Sequence, residues 1–201
     1  MTTERTVEIP WALTQLPQEG RILDVGSSGA GYLGAIQQAG RELHCLDPRP
    51  LDPRESLLPS GAVFHQESLI GNDLPRAFFD AALAVSTIEH IGLPCYGQEP
   101  FPDGDKLALA EIGKLLKPGA PAIATVPVGQ SKLASWYRQY SAADLHRLFV
   151  DWHYHVEYWG YDGGRYRPIE ESDLPRYDYR DRHDGAAGAG AVACIVAWRR
   201  L

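Results

Sequence analysis

Between Arg21 and Gly31 this 201-residue chain places residue types at a spacing that suits ligand chemistry. Ile22, Leu23 and Val25 surround Asp24, and the run opens at once into Gly26, Ser27, Ser28, Gly29, Ala30 and Gly31. A buried strand that breaks into glycines and then a helix brings backbone close to a ligand. Glycine adopts φ > 0 without a Cβ penalty, and a helix start offers unpaired N–H groups. A second apolar run ends at Asp47, followed by Pro48. A carboxylate there can accept hydrogen bonds from both hydroxyls of a ribose. Turn and acid together specify an adenosine-type cofactor and leave open which one.

Gly29, Gly31 and Gly34 spell the GxGxxG of dinucleotide-binding enzymes. The register is poor, because the first of them stands four residues after Val25, the end of the expected strand. Asp24 would repel a pyrophosphate, yet it suits the ammonium of a methionine moiety or the turn's own N–H groups. No Tyr-x-x-x-Lys occurs, which removes short-chain dehydrogenase chemistry. S-adenosyl-L-methionine (SAM) is favoured over NAD; a nucleotide-sugar or NAD-binding enzyme is the alternative.

Further along, Glu89 and His90 follow the fourth of the expected strands, Ala81–Val85. Open α/β sheets bind ligands at the carboxyl ends of their strands, and imidazole has the pKa of a general base near neutrality. His90 is the candidate base, with Glu89 beside it; the plainer alternative is that the pair caps a helix or ties down a loop. No third ligand accompanies them, so no metal is expected. Trp136, Tyr137 and Tyr140 could wall an acceptor pocket or simply pack. His153 and His155 alternate along a strand and are expected on an exposed face. His44 and His65 read as hydrogen-bonded structural residues. Asp162, Arg165, Arg167 and Arg176 could recognise an anionic acceptor or be solvated.

To position these groups, apolar runs must alternate with helical segments, the pattern of a parallel sheet with crossover helices. Strands are expected at Arg21–Val25, Glu42–Leu46, Ala62–His65, Ala81–Val85 and Ala122–Val126, each buried on both faces. His153–Trp159 and Val192–Trp198 are expected to pair antiparallel at one sheet edge. Helices are expected at Tyr32–Ala39, ended by Gly40; at Lys106–Leu116, with Asp105 as N-cap; and from Ser141, where Asp144 completes a capping box, to Phe149. Gly160–Gly190 reads as a long loop, a lid or a disordered excursion. One domain spans residues 1–201, an α/β, Rossmann-like sheet of seven strands.

The formal net charge is −7, from 26 acidic against 19 basic residues. Nucleic-acid binders need a basic excess to neutralise phosphates, so no nucleic acid is expected as partner. No apolar run approaches the ~20 residues of a membrane span, and the N-terminus lacks signal-peptide character. Three scattered cysteines suit a reducing compartment. A cytoplasmic protein with a small-molecule partner is expected; a homodimer is compatible.

Ile22–Gly26, Leu46–Asp47, Phe79–Gly92 and Leu115–Gly119 resemble successive motifs of class I SAM-dependent methyltransferases. The likeness runs from about Arg21 to Pro127. More narrowly, Ser86–Gly97, Asp103–Asp105 and Val126–Gly129 are similar to a little-characterised methyltransferase-like family associated with polysaccharide or secondary-metabolite biosynthesis. The resemblance implies that Asp24, Gly26, Ser27 and Gly29 line the methionine end of the cofactor and that Asp47 and Pro48 meet the ribose. It also implies Glu67 or Ser68 near the adenine, Ser86 and Thr87 below the sulfonium, and an acceptor site walled by Trp136, Tyr137 and Tyr140. Two departures stand out. The turn Gly26–Gly31 either carries an extra residue or has Ser28 in place of the usual middle glycine, and the link from Pro48 to Gly61 is rich in proline. The expected function is methyl transfer to an oxygen or nitrogen of a sugar or secondary metabolite, with a catalytically degenerate scaffold as the rival.

Overall fold

The computed structural model describes residues 3–37, 40–51, 58–179 and 188–200. Its centre is an eight-stranded sheet in the order β3-β2-β1-β4-β5-β10-β8-β9. Five strands run parallel: β1 (Gly20–Val25), β2 (Arg41–Leu46), β3 (Val63–His65), β4 (Ala81–Val85) and β5 (Ala122–Val128). β8 (Trp152–Asp162), β9 (Arg165–Ile169) and β10 (Ala191–Arg199) complete the sheet by antiparallel pairing. A small hairpin of β6 (Lys132–Leu133) and β7 (Arg138–Gln139) stands apart from it.

Strand periodicity sorts the core into two layers. Ile22, Leu43, Ala81, Leu83 and Ile123 face one side, with Trp11 and Ala12 of α1 (Arg5–Gln15) and with Leu33 and Ile36 of α2 (Leu33–Ile36). Leu23, Ala82, Ala84 and Ala124 face the other, with Ile112 and Leu115 of α3 (Gly104–Leu115) and with Leu145 and Leu148 of α4 (Ala142–Leu148). Alanines on β4 and β5 keep the central strands thin enough for helices to close on both faces.

Several expectations need correction. The sheet has eight strands rather than seven, because Gly160–Gly190 is largely ordered: β8 continues to Asp162, β9 returns from it, and a 3₁₀ helix spans Glu171–Arg176. β9 hides in sequence because it is polar and holds Pro168, as an edge strand can. Residues 180–187 of that segment lie outside the described residues. β10 sits between β5 and β8, so the expected C-terminal pair is internal where β9 covers it. β3 is an edge strand without a fully buried residue, not one buried on both faces. α2 ends at Ile36, before Gly40, and Ala39 lies outside the described residues. α3 begins earlier, with Asp103 rather than Asp105 at its N-cap. Asp105 is drawn inward by the Tyr140 hydroxyl, which donates to its Oδ2 at 3.1 Å. The capping box at Ser141 and Asp144 forms as expected.

α1 was not expected at all. Its buried face carries Glu8 beside Trp11 and Ala12 and its middle carries Pro10, so no apolar stripe marks it. It packs across β4, β5 and β10. Among the described residues, no helix is long and apolar enough to cross a membrane.

Candidate active site

At the carboxyl ends of β1, β2 and β4 lies a cleft of about 280 Å³. Its floor is the glycine turn. Gly26 takes φ +83, and a Cβ there would stand 2.6 Å from the Thr87 Oγ1. Only glycine lets β1 and the end of β4 approach this closely. The Thr87 hydroxyl lies 3.1 Å from both the Val25 and the Val85 carbonyls, stitching the two strand ends together. Gly29, Ala30 and Gly31 continue the wall, and a Cβ at Gly31 would meet nothing within 4 Å.

Asp47 closes the second side. It is nearly buried, and its Oδ2 accepts from the Ser28 N–H at 2.9 Å. Arg49 covers both oxygens, with Nε 3.0 Å from Oδ1 and Nη2 3.0 Å from Oδ2. The same guanidinium lies 4.4 Å over the Tyr96 ring, a cation–π contact that joins two loops across the cleft mouth. Pro48 and Ser68 line the cleft with Leu69.

Asp24 sits behind the wall rather than in it. It is fully buried, its Oδ1 accepts from the Tyr32 hydroxyl at 3.1 Å, and its Oδ2 has no hydrogen-bond partner. Burial raises its carboxyl to about 7, against the lowering by the Ser27 and Tyr32 hydroxyls. Ser27 is also buried, its Oγ donating to the Asp24 carbonyl at 2.8 Å. Glu67 lies outside the cleft and accepts from the Asp73 N–H at 3.1 Å.

At the end of β4 the backbone turns sharply. Ser86 adopts φ +48, with its N–H 3.0 Å from both the carbonyl and the Oγ1 of Thr125. A 3₁₀ turn, Ile88–His90, then aims His90 into the cleft. The imidazole stacks on Trp136 at 5.5 Å and 10°. Its Nδ1 meets the Trp136 carbonyl, which can only accept, so Nδ1 carries the proton and Nε2 is left as the basic nitrogen. Burial pushes the imidazole below its usual 6.5 despite that bond. It is therefore neutral at pH 7, the form a base requires. The β6–β7 hairpin that supplies Trp136 is held by Arg138, which donates to the Ile91 carbonyl at 2.8 Å.

Glu89 is buried and does not line the cleft, its carboxyl raised to about 7 by desolvation. Trp136 is partly exposed, while Tyr137 is buried against Tyr179 at 4.2 Å, and Tyr140 is committed to Asp105. None of the three lines the cleft. His153 and His155 are exposed, and His44 and His65 pair through ring nitrogens 3.0 Å apart. Among the described residues, no group of three or more His, Cys, Asp or Glu is gathered for a metal ion.

Sequence reasoning missed Arg5, Ile9, Tyr32, Arg49 and Tyr96, all of which line the cleft. Arg49 could have been found as the cation two residues beyond Asp47. Arg5 and Ile9 come from α1, and no local signal links that helix to the strand ends.

No family model matches the chain, and no curated protein matches it in sequence. Solved structures do match it. The Burkholderia thailandensis 1,6-didemethyltoxoflavin-N1-methyltransferase, seen with 1,6-didemethyltoxoflavin and S-adenosylhomocysteine, is 16% identical. It aligns over 97% of this chain and 80% of that one with a TM-score of 0.62. A SAM-dependent methyltransferase from Thermotoga maritima is also 16% identical, over 97% of this chain and 88% of its own, with a TM-score of 0.60. One from Mesorhizobium loti is 12% identical, over 94% and 97%, with a TM-score of 0.61. The chain is thus similar in architecture, far more than in sequence, to these enzymes, and its fold is the Rossmann-like α/β fold of class I methyltransferases.

Proposed function

We propose that this protein is a SAM-dependent methyltransferase acting on an oxygen or nitrogen of a small-molecule acceptor, with a sugar or secondary metabolite as the first class to screen. One observation carries the proposal. A glycine turn, the Asp47 carboxylate and a neutral, tautomer-fixed His90 meet in one cleft at the strand ends. The residues suit the cofactor. Asp47 offers a carboxylate to a ribose diol, and Leu46, Leu69 and Ile91 offer an apolar wall for a flat base. Asp24 holds an orphaned buried oxygen behind the turn, where an ammonium would offset it. The B. thailandensis neighbour binds S-adenosylhomocysteine on the same fold, which supports the same choice here.

SAM supplies an electrophilic methyl group with a good leaving group, so the protein's task is mostly alignment. Asp47 and the turn orient, and His90 Nε2 takes a proton from an acceptor that must lose one. Stacking on Trp136 and the Nδ1 bond fix the direction of that lone pair.

The test is calorimetry with SAM, S-adenosylhomocysteine and NAD on ligand-stripped protein. Micromolar binding of the first two, without NAD, is expected. Binding of neither would favour a scaffold that has lost its cofactor, and binding of NAD alone would favour a dinucleotide enzyme.

A further inference from the structure

Behind His90 stands a second acid that methyl transfer as described does not use. Glu8 of α1 is fully buried. Its Oε2 accepts from Arg5 Nη1 at 3.2 Å, and its Oε1 lies 3.4 Å from the Ser86 Oγ. The same Ser86 hydroxyl holds the Glu89 carboxyl lower than burial alone would set it. Glu89 in turn places Oε1 3.7 Å from His90 Nε2 and leaves Oε2 buried without a partner. Two segments remote in sequence thereby connect a carboxyl on the N-terminal helix to the basic nitrogen of His90.

We infer that Glu8, Ser86 and Glu89 form a proton store that positions charge behind His90. Taken with the methyl-transfer function proposed above, it works as follows. The relay starts with one proton between the two acids, Glu8 as the carboxylate paired with Arg5 and Glu89 as the neutral carboxyl. When the acceptor's X–H bond breaks, its electron pair stays on X and its proton goes to His90 Nε2. The Glu89 proton passes to Ser86 Oγ as the Ser86 proton passes to Glu8 Oε1. Glu89 is left as a carboxylate beside the new imidazolium. Proton number and net charge within the set change only by the one proton gained. Two carboxyls both raised to about 7, chiefly by burial, can exchange a proton at little cost.

Other charges face the set. Arg5, Arg49 and Arg138 oppose protonation of His90, from α1, the segment after β2 and β7. The edge of the Tyr96 ring also meets the imidazole. Glu4 and Glu89 raise Glu8, while Arg5 and the Thr125 hydroxyl lower it; Glu4 raises Glu89, and Arg5 lowers it. Glu8 touches no substrate, so it is a positioning residue, and its test must read His90 itself.

The measurement is ¹⁵N NMR of the imidazole nitrogens against pH in ¹⁵N-histidine-labelled full-length protein without cofactor, with His90 assigned by His90→Gln. Coupling of about one pH unit or more resolves two steps in the His90 curve. Native protein should show both, and Glu8→Gln should move the second step, which Glu89, still 3.7 Å from Nε2, then carries alone. Ser86→Ala keeps both carboxyls but cuts the link, so it should move the second step as well, which guards against a Glu8 variant that fails to fold. A His90 curve identical in native protein and in whichever variant folds would overturn the proposal. SAM calorimetry on the same samples is judged apart: absent binding there counts against methyl transfer and leaves the coupling standing.

Discussion

Arg49 lies across Asp47 like a lid on its carboxylate, each oxygen receiving a guanidinium N–H at 3.0 Å. In the function proposed above those oxygens accept from a ribose diol, so the ribose would compete with a side chain of the protein itself. Arg49→Ala removes the competitor and leaves the nearly buried carboxylate with two backbone partners, the Ser28 N–H on Oδ2 and the N–H of position 49 on Oδ1, each at 2.9 Å. The guanidinium bonds that are lost join two charged groups, and hydrogen bonds to charged groups contribute about 1.5–3 kcal/mol. The variant should therefore melt at lower temperature than native protein yet bind SAM more tightly, and saturating SAM should restore much of the lost stability. Weaker SAM binding in a folded Arg49→Ala protein would mean that Arg49 holds Asp47 for the cofactor instead of covering it.

Asp47→Asn keeps the shape of the side chain but puts an NH₂ where Asp47 now accepts. Hydrogen bonds to charged groups contribute about 1.5–3 kcal/mol, so SAM affinity should fall about 10- to 100-fold in calorimetry. Near-native affinity would remove Asp47 from the cofactor site.

The main lines of this cleft are readable in sequence because they follow from strand ends. Asp24, Gly26 and Asp47 are set by where apolar runs stop, and His90 by its distance past β4. What escapes is whatever arrives through tertiary packing. Glu8 and Ser86 are 78 positions apart and meet only because α1 crosses the ends of β4 and β5. The His90 tautomer is set by a backbone carbonyl, at Trp136, where the sequence suggests an aromatic ring as the active part. β9 escapes for a different reason: an edge strand needs no apolar run, so Arg165–Ile169 looks like loop.

Stability should fall as the pH rises from about 5 to 8. Asp24, Glu8 and Glu89 are each raised to about 7 in the fold, from ordinary values of 3.8 or 4.5. Across that window the folded chain holds protons that the unfolded chain has lost, so ΔG of unfolding declines with pH. Their contribution is fully present below the unfolded values and is lost as pH climbs through the folded ones. His65 and His90 act oppositely, since burial lowers both and the unfolded chain binds their protons more readily below 6.5. Three buried acids outweigh two histidines. The change should be on the order of a few kcal/mol, visible as a falling Tm in a pH series, with a shallower slope in Asp24→Asn. A flat or rising Tm over the window would show that these carboxyls do not hold their protons in the fold.

His90→Gln should separate chemistry from binding. Glutamine can still donate to the Trp136 carbonyl, but it has no basic nitrogen at neutral pH. Loss of a general base costs about 10²- to 10⁴-fold in rate. Once an acceptor is in hand, kcat should fall by that order while the SAM dissociation constant stays close to native. The pH profile adds a second check. Burial holds the His90 imidazole below 6.5, so native kcat should be flat near neutrality and decline only as the pH drops through that lowered value. The His90→Gln protein should lack this acid limb. A variant with full activity and the same acid limb would return His90 to a structural part, packed under Trp136, and would shift the search for a base to Glu89.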